Sequence, residues 1–490
     1  MKQAIAKAYQ NHSQGKTSPS NGRLTLTRVS TVAIALIGSA MTGAAADNAT
    51  ATAPAPQPTP ALTKPAWLTD LSLGIKETYD DNIFAAGADS HNIGWKPATN
   101  VPPGSVAALM GESSFVTTVS PKLGVNFAPL LGDQKTVQSL SLAYNPDFVT
   151  YHQASSESYN IHRLIGGVKI KADAFSATVD NTLSLIDGGK FGAFYPGALS
   201  SAQATPVVRE RRDQDQDRAA ITLKYDQEKW FLRPVATLIN YDLKTEMINT
   251  KGYQNFVDRH DINGGADFGY KITPKVAATV GYRYGNQYQQ ALPFSFDKNQ
   301  LSGSSDYQRV LFGVEGKPLD WLELKAQGGP DFRSYGDHAP MENKDMTTYY
   351  GEASMTATIT PSDTVSFKYK QYQWVSSTGK SPYFDSLFDL SYRRKLVDGL
   401  FVDIGGKLLE SDYTSGLTDL KSSNGTTKLQ EDALYSISAG LTYALSPNAS
   451  FNVAYTANLA RNFQSLPSTV DASGREYDDN QVSVGATFKF

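Results

Sequence analysis

The sequence of 490 residues lacks cysteine, has no excess of positive charge and, after its N-terminal region, has no long apolar run. Without cysteine the chain cannot form a disulfide scaffold, a cysteine-ligated zinc site or a thiol nucleophile. No stretch reaches the roughly 18 apolar residues of a transmembrane helix. The 45 Lys and Arg residues are balanced by 48 Asp and Glu residues, which argues against nucleic acid as a partner.

Aromatic residues and glycine are abundant in a chain that is otherwise half polar. Hydrophobic residues make up only 40% of the sequence, yet it contains 26 Tyr, 22 Phe and 39 Gly. A soluble chain of this length is normally more apolar and divides into two or three domains. The composition favours an aromatic-rich β protein.

The N-terminal region predicts export. Residues 1–28 are basic and carry no acid, residues 29–40 are mostly apolar, and Ala44-Ala45-Ala46 offers a cleavage site near Ala46. We therefore predict a signal peptide at 1–46. The next residues, 47–66, are rich in Pro, Ala and Thr and predict an extended periplasmic linker.

From Leu68 onward, apolar and polar residues alternate with a period of two, the pattern of strands with one apolar face. In the last strand Val482, Val484 and Ala486 alternate with Ser483 and Gly485. The connections between such segments alternate strictly between eight short turns and nine longer polar loops. This order joins about 18 strands, with 16 to 18 compatible with the pattern.

The alternation of short and long connections indicates an all-β, antiparallel, up-and-down transmembrane barrel over residues 67–490. The face opposite the apolar one carries small and polar residues, as a water-filled lumen requires. A soluble propeller or sandwich would not sort its loops by length onto two ends. The sequence thus predicts short periplasmic turns, long extracellular loops and an outer-membrane location in a Gram-negative bacterium, with lipid and lipopolysaccharide as surroundings.

Aromatic residues are grouped at both ends of the predicted strands, as expected for two interfacial girdles. Near the short turns these residues are Trp67, Trp230 and Trp321. Near the long loops they are Tyr151, Tyr241, Tyr288, Tyr335, Tyr413 and Trp374.

The segment Thr78-Tyr-Asp-Asp-Asn-Ile-Phe84 resembles the opening of members of the β-barrel porin 2 family of bacterial outer-membrane proteins. The terminal Phe490 is similar to the C-terminal aromatic residue that the barrel assembly machinery recognises in many barrels. The resemblance covers roughly residues 68–490. It implies an outer-membrane location and a channel or export-associated role, without indicating a substrate.

Period-two alternation assigns a set of basic residues to the lumen. A cationic wall would select anions, whereas pairing with acids on neighbouring strands would leave little selectivity, and the sequence leaves both open. The candidates are Lys169, Lys224, Arg283, Arg309, Lys325, Lys368, Lys370, Arg393 and Lys407.

The motif Tyr-Asp-Asp-Asn occurs twice, at residues 79–82 and 477–480. In a closed barrel the first and last strands pair, so the two copies can face each other across the seam. Asp80, Asp81, Asp478 and Asp479 would then offer the hard oxygen ligands of a structural Ca²⁺ site. The alternative is a pair of ordinary turn segments.

No catalytic constellation emerges from the sequence. The six His residues show no metal-binding spacing, and no nucleophile elbow, phosphate loop or dinucleotide fingerprint is present. We therefore expect neither an enzyme nor a cofactor, apart from the structural Ca²⁺. The pattern predicts a porin-like channel for passive diffusion of small hydrophilic solutes. The alternative is a barrel component of exopolysaccharide export or surface assembly without an open pore.

Overall fold

The computed structural model describes residues 64–83, 113–132, 135–188, 213–244, 257–290, 303–336, 345–375, 382–413, 430–463 and 477–490. Lys64–Phe490 forms one compact unit. The predicted signal peptide and nearly all of the predicted linker lie outside the described residues. No helix in the described ranges is long and apolar enough to cross a membrane.

Nineteen strand segments form a single sheet. Their bounds are β1 Leu68–Asp80, β2 Ser114–Asn126, β3 Val137–Tyr144, β4 Asp147–Tyr151, β5 Tyr159–Ala172, β6 Phe175–Asp187, β7 Gln214–Asp226, β8 Trp230–Asp242, β9 Arg259–Thr273, β10 Val276–Gln289, β11 Ser305–Leu319, β12 Leu322–Tyr335, β13 Asp345–Thr360, β14 Asp363–Trp374, β15 Tyr383–Val397, β16 Leu400–Tyr413, β17 Gln430–Ser446, β18 Ala449–Phe463 and β19 Tyr477–Lys489.

The segments β3 and β4 are two halves of one barrel strand, because both lie between β2 and β5. The interruption falls at Asn145 and Pro146. Proline lacks the amide N–H that a ladder position needs, so an inner strand breaks where it occurs. Counted this way, the barrel has 18 strands, as the sequence predicts.

The barrel closes through β1 and β19, which pair antiparallel from Ser72 opposite Lys489 to Asp80 opposite Gln481. Every other neighbouring pair is antiparallel as well. Closure leaves no unpaired sheet edge, and a structure that spans hydrocarbon requires this. An even strand number, full closure and antiparallel neighbours are the features of bacterial outer-membrane barrels.

Connections sort by length onto the two ends of the barrel, as predicted, with one exception: the turn-end link between β2 and β3, residues 127–136, is longer than the loop-end link between β4 and β5, residues 152–158. At one end, which we call the turn end, strands are joined by short links such as Asp173-Ala174, Pro274-Lys275 and Asp398-Gly399. Asp173 and Gly399 adopt positive φ angles of 48° and 80°, the left-handed conformation that tight turns use. The other end, the loop end, carries the longer connections.

The two faces of each strand differ as period two requires. On β10, Val280, Tyr282 and Tyr284 are about half exposed on the barrel exterior. Arg283, between them, is 7% exposed and points into the lumen, where its register partner is Arg309. The exterior is thus apolar and the interior polar, the reverse of a soluble β-barrel.

One apolar patch lies on the lumen side. Val116, Val149 and Tyr151 pack there with Ile83, which follows the end of β1 and is 4% exposed. The segment after Asp80 therefore turns inward, so that the chain entering the first long connection covers the inner wall of β1, β2 and β4.

The girdle prediction is correct at the turn end and partly wrong at the loop end. Trp67, Trp230 and Trp321 are 37%, 38% and 49% exposed, and Trp230 stacks on Phe268 of the neighbouring strand. At the loop end, Tyr288 is on the exterior and stacks on His260.

Four of the remaining loop-end aromatics instead face the lumen. Tyr151 belongs to the inner apolar patch, and Tyr335 is 5% exposed. Tyr241 and Trp374 line the central cavity. These rings project from lumen-facing positions of their strands and pack against inward-turned chain segments and arginines, so that three of them are buried and Tyr241 is half-buried. The side chain of Tyr413 lies outside the described set.

Candidate functional site: the lumen and the barrel seam

A cavity of about 780 Å³ occupies the lumen, enclosed chiefly by β6 to β15. Seven basic and five acidic residues line it, so its wall carries a small cationic excess. The basic residues are Arg218, Arg233, Arg259, Arg283, Arg309, Lys325 and Lys370. The acidic residues are Asp180, Asp261, Asp267, Glu352 and Asp385.

Part of this charge is neutralised by ion pairs between strands. Arg233 on β8 binds Asp267 at 3.0 Å and Glu315 at 2.9 Å. Arg283 on β10 binds the other oxygen of Asp267 at 2.7 Å. Asp267 is only 4% exposed in its side chain, so these guanidinium groups satisfy a carboxylate that would otherwise be costly to bury.

A second ion-pair group lies toward the loop end on β11 and β12. Asp331, 1% exposed, accepts from Arg309 at 2.9 Å and from Arg333 at 3.1 Å. The Arg309 guanidinium lies 4.0 Å from the centre of the Tyr350 ring, and both arginines lie within 5 Å of the Tyr307 ring centre. Cation–π contacts of this kind hold a guanidinium plane in one orientation.

Three cavity cations have no carboxylate partner among the described residues. Arg218 donates to the hydroxyl of Tyr241 at 2.7 Å. Arg259 lies 5.0 Å from the ring centre of Tyr241 and 5.3 Å from that of Trp374. Lys370 lies 4.8 Å above the ring of Tyr372. Aromatic faces stabilise these cations without neutralising their charge.

The loop-end part of β14 leans across the lumen. Its pairing with β13 ends at Gln371, whereas its pairing with β15 continues to Trp374. Gln287 of β10 donates to the carbonyl of Gln373 at 2.9 Å, and Arg259 of β9 donates to the carbonyl of Val375 at 2.8 Å. These contacts narrow the lumen beside the cavity.

The structure places all nine basic candidates from the sequence on the lumen face of their strands, but their surroundings differ. Arg283 and Arg309 are in the two ion-pair groups described above. Of the others, Lys325 lies 3.5 Å from Glu352, and Lys224 lies 3.0 Å from Asp226.

The remaining candidates lie toward the turn end, apart from Lys370. Arg393 lies 3.6 Å from Asp403, and Lys407 lies 3.9 Å from Asp389. Within the described ranges, Lys169 and Lys368 form no ion pair. The two alternatives that the sequence left open thus both occur, with pairing at most positions and free cations at a few.

Sequence reasoning missed Arg233, Arg259 and Arg333 as lumen residues. Arg259 begins β9, and Asp261, Asn263, Gly265 and Asp267 follow it on the same face. Counting back from Asp267 in steps of two would have found it. The large apolar residues that make alternation visible are sparse in that stretch.

At the barrel seam, the two Tyr-Asp-Asp-Asn segments do lie beside each other. Carboxylate oxygens of Asp80, Asp81 and Asp479 all lie within 4.8 Å of one another. Asp478 is not part of this group, because its carboxylate binds Arg461 at 2.7 Å. The seam therefore brings together three of the four predicted ligands.

Phe490 follows β19 at the turn end. Its backbone N–H donates to the carbonyl of Leu71 at 2.8 Å, and its side chain is 66% exposed. The terminal residue is thus held by the closing strand pair while its ring stays accessible.

Some charged groups just outside the strands are ion-paired, at both ends of the barrel. At the loop end, hydrogen bonds to Asp215 and Asp242 raise the pKa of the Lys244 ammonium. At the turn end, a hydrogen bond from Lys275 lowers the pKa of the exposed Asp320 carboxyl. Such exposed pairs contribute little to stability.

Comparison with known proteins relates the chain to solved structures of other barrels only distantly. No family model and no curated protein matches the sequence. Membership of the β-barrel porin 2 family therefore stays a prediction. Among solved structures, the outer membrane protein opdK from Pseudomonas aeruginosa aligns over 86% of this chain and 99% of its own, with 10% identity and a TM-score of 0.41.

Two further structures align over the same share of this chain. OccK2 (OpdF) from Pseudomonas aeruginosa, in complex with glucuronate, is covered over 98% of its length, with 11% identity and a TM-score of 0.39. The siderophore receptor PirA from Acinetobacter baumannii is covered over 81%, with 9% identity and a TM-score of 0.39. At such low identities and TM-scores the likeness says nothing about solute or activity.

Proposed function

We propose that the protein is a non-enzymatic outer-membrane channel for passive diffusion of small hydrophilic solutes, with a weak preference for anions. The observation that carries this proposal is the lumen cavity, whose wall includes seven basic and five acidic residues and holds three cations without a carboxylate partner in the described ranges. Fixed charges of one sign along a pore favour ions of the opposite sign.

The exterior of the barrel supports the outer-membrane location. Strand faces that would contact lipid carry exposed apolar residues, including Ile262, Val280 and Phe312 at 50–59% exposure. Exposed apolar area on this scale is unfavourable in water but is what a bilayer requires. The turn end would then face the periplasm and the loop end the cell exterior.

The narrowing of the lumen favours small solutes over a polymer. Contacts from Arg259 and Gln287 to the inward-leaning end of β14 cross space that a polysaccharide chain would need. A cavity of about 780 Å³ accommodates a molecule of the size of typical small ligands. The export role has no comparable feature in its favour.

Ion selectivity tests this proposal. In a planar bilayer with a salt gradient, the wild-type channel should show a reversal potential that corresponds to anion preference. The change Lys368→Gln with Lys370→Gln removes two unpaired lumen cations, so the preference should fall toward zero. Lys275→Gln removes the same kind of charge from an exposed turn outside the lumen and should leave the reversal potential unchanged. Cation preference in the wild type would contradict the proposal.

A further inference from the structure

The seam brings carboxylates from both ends of the chain into one cluster. Asp80 ends β1, Asp81 follows it, and Asp479 lies near the start of β19. One oxygen from each lies within 4.8 Å of the other two. Three carboxylates at this separation repel one another strongly when all are ionised.

Unsatisfied buried oxygens accompany the cluster. Asp479 is 8% exposed, and within the described ranges no N–H or hydroxyl group donates to its Oδ1 atom, whereas Oδ2 accepts from Asn458 and Gln481 at 3.0 Å each. Among the same residues, the buried hydroxyl of Thr78 has no hydrogen-bond partner, and it lies on the same face of β1 as Asp80. Buried polar atoms without partners are rare in native proteins and call for a water or an ion.

Neighbouring amides orient the carboxylates without neutralising them. Asn480 donates to Asp81 from its backbone nitrogen at 2.7 Å and from its side chain at 2.9 Å. Gln481 donates to Asp80 at 3.2 Å. Amides are uncharged, so they fix the positions of the oxygens but leave the repulsion in place.

The arginine of the neighbouring strand β18 is used elsewhere. Arg461 binds Asp478, the one aspartate of the repeat that lies outside the cluster. In the part of the chain that the structure describes, neither Asp81 nor Asp479 has an ion-pair partner. Of the four aspartates in the repeat, Asp478 is thus neutralised by a cationic side chain, and it lies outside the cluster that the other three form.

The geometry points to a divalent cation site at the seam, with Ca²⁺ as the ion and Asp80, Asp81 and Asp479 as ligands. Calcium accepts six to eight oxygens in irregular geometry, so water and nearby hydroxyl or carbonyl oxygens can complete the shell. Magnesium demands near-octahedral geometry, which three aspartates from two strands match less well. The ion joins the first strand to the last at the loop end and so stabilises closure of the barrel.

The test uses the complete mature protein refolded in detergent and freed of metal with a chelator. Calorimetric titration with Ca²⁺ alone measures binding, and thermal unfolding with Ca²⁺ or chelator measures stabilisation. The variants are Asp479→Asn and Asp81→Asn, which keep the side-chain shape. Asp478→Asn is the matched control, because it removes the same charge from the same repeat outside the cluster. Circular dichroism establishes that each variant is folded.

The wild type and Asp478→Asn should bind one Ca²⁺ per chain and melt at a higher temperature with Ca²⁺, since an ion that binds only the folded state stabilises it by mass action. Asp479→Asn and Asp81→Asn should each bind at least about tenfold more weakly, because Ca²⁺ affinity follows the number of charged ligands. Should one of the two fail to fold, the other carries the comparison. Absence of binding to the wild type at about millimolar Ca²⁺, or equal binding by Asp479→Asn and Asp478→Asn, would overturn the site.

Discussion

At the residue scale, the lumen wall depends on small residues that leave space for large neighbouring side chains. Phe231 points inward from β8, is 2% exposed and covers Gly269 on β9. A Cβ atom at Gly269 would lie 2.1 Å from the phenyl ring. The ring also lies 4.4 Å below the ammonium of Lys224. An aromatic ring that packs on a strand glycine fixes the register between the two strands. Here the same ring also contacts the ammonium group of Lys224.

Gly269→Ala should therefore destabilise the barrel. The added methyl group displaces the Phe231 ring, and overpacking of this kind costs about 1–3 kcal/mol. Gly406→Ala is the control, because a Cβ atom there meets nothing within 4 Å. Equilibrium unfolding of the two variants in denaturant measures the difference. Equal unfolding free energies would show that the ring is not held by Gly269.

Residue-level prediction from sequence worked where large apolar residues alternate visibly. Val280, Tyr282 and Tyr284 set the faces of β10 and thereby placed Arg283 in the lumen. It failed for Tyr241 and Trp374, since an aromatic residue at a strand end fits a lipid interface and a lumen wall equally well. Contacts with Arg259, which come from another strand, distinguish the two locations.

At the scale of elements, the departure of β14 from β13 narrows the pore. Its loop-end residues keep their partners on β15 but exchange those on β13 for side chains of β9 and β10. Arg259 contributes to this attachment through a hydrogen bond to Val375 and a contact with the ring of Trp374.

Arg259→Ala should release this end of β14. Loss of a hydrogen bond from a charged donor lowers the unfolding free energy by about 1.5–3 kcal/mol. Conductance should rise, since the strand end no longer crosses the lumen. Arg394→Ala is the control: its guanidinium is exposed, at the turn end, and lies 3.8 Å from Asp363. A conductance of Arg259→Ala at or below that of the control would contradict this view of the narrowing.

The strand count followed from the sequence because each strand and each short turn is a local pattern. The inward lean of β14 could not be predicted in this way, since the hydrogen bond from Arg259 to Val375 joins residues 116 positions apart. The aspartate cluster at the seam could be predicted in part. Its repeat is visible in the sequence, but only the register shows that Asp478 binds Arg461 while the other three aspartates meet.

At the scale of the whole molecule, closure of 18 strands separates two surfaces of opposite character. The exterior is apolar and the interior holds ion pairs, aromatic rings and a few unpaired cations around one cavity. Because closure satisfies the backbone ladder all the way round, side chains on the inner face can be polar without exposing unpaired backbone groups to hydrocarbon.

The central claim is that this lumen conducts, and single-channel recording of the refolded protein in a planar bilayer tests it most directly. With symmetric salt, the account predicts discrete, stable conductance steps that open without a ligand. A membrane that contains the correctly folded barrel yet stays closed to ions at all voltages would contradict a diffusion channel and favour the export or assembly role.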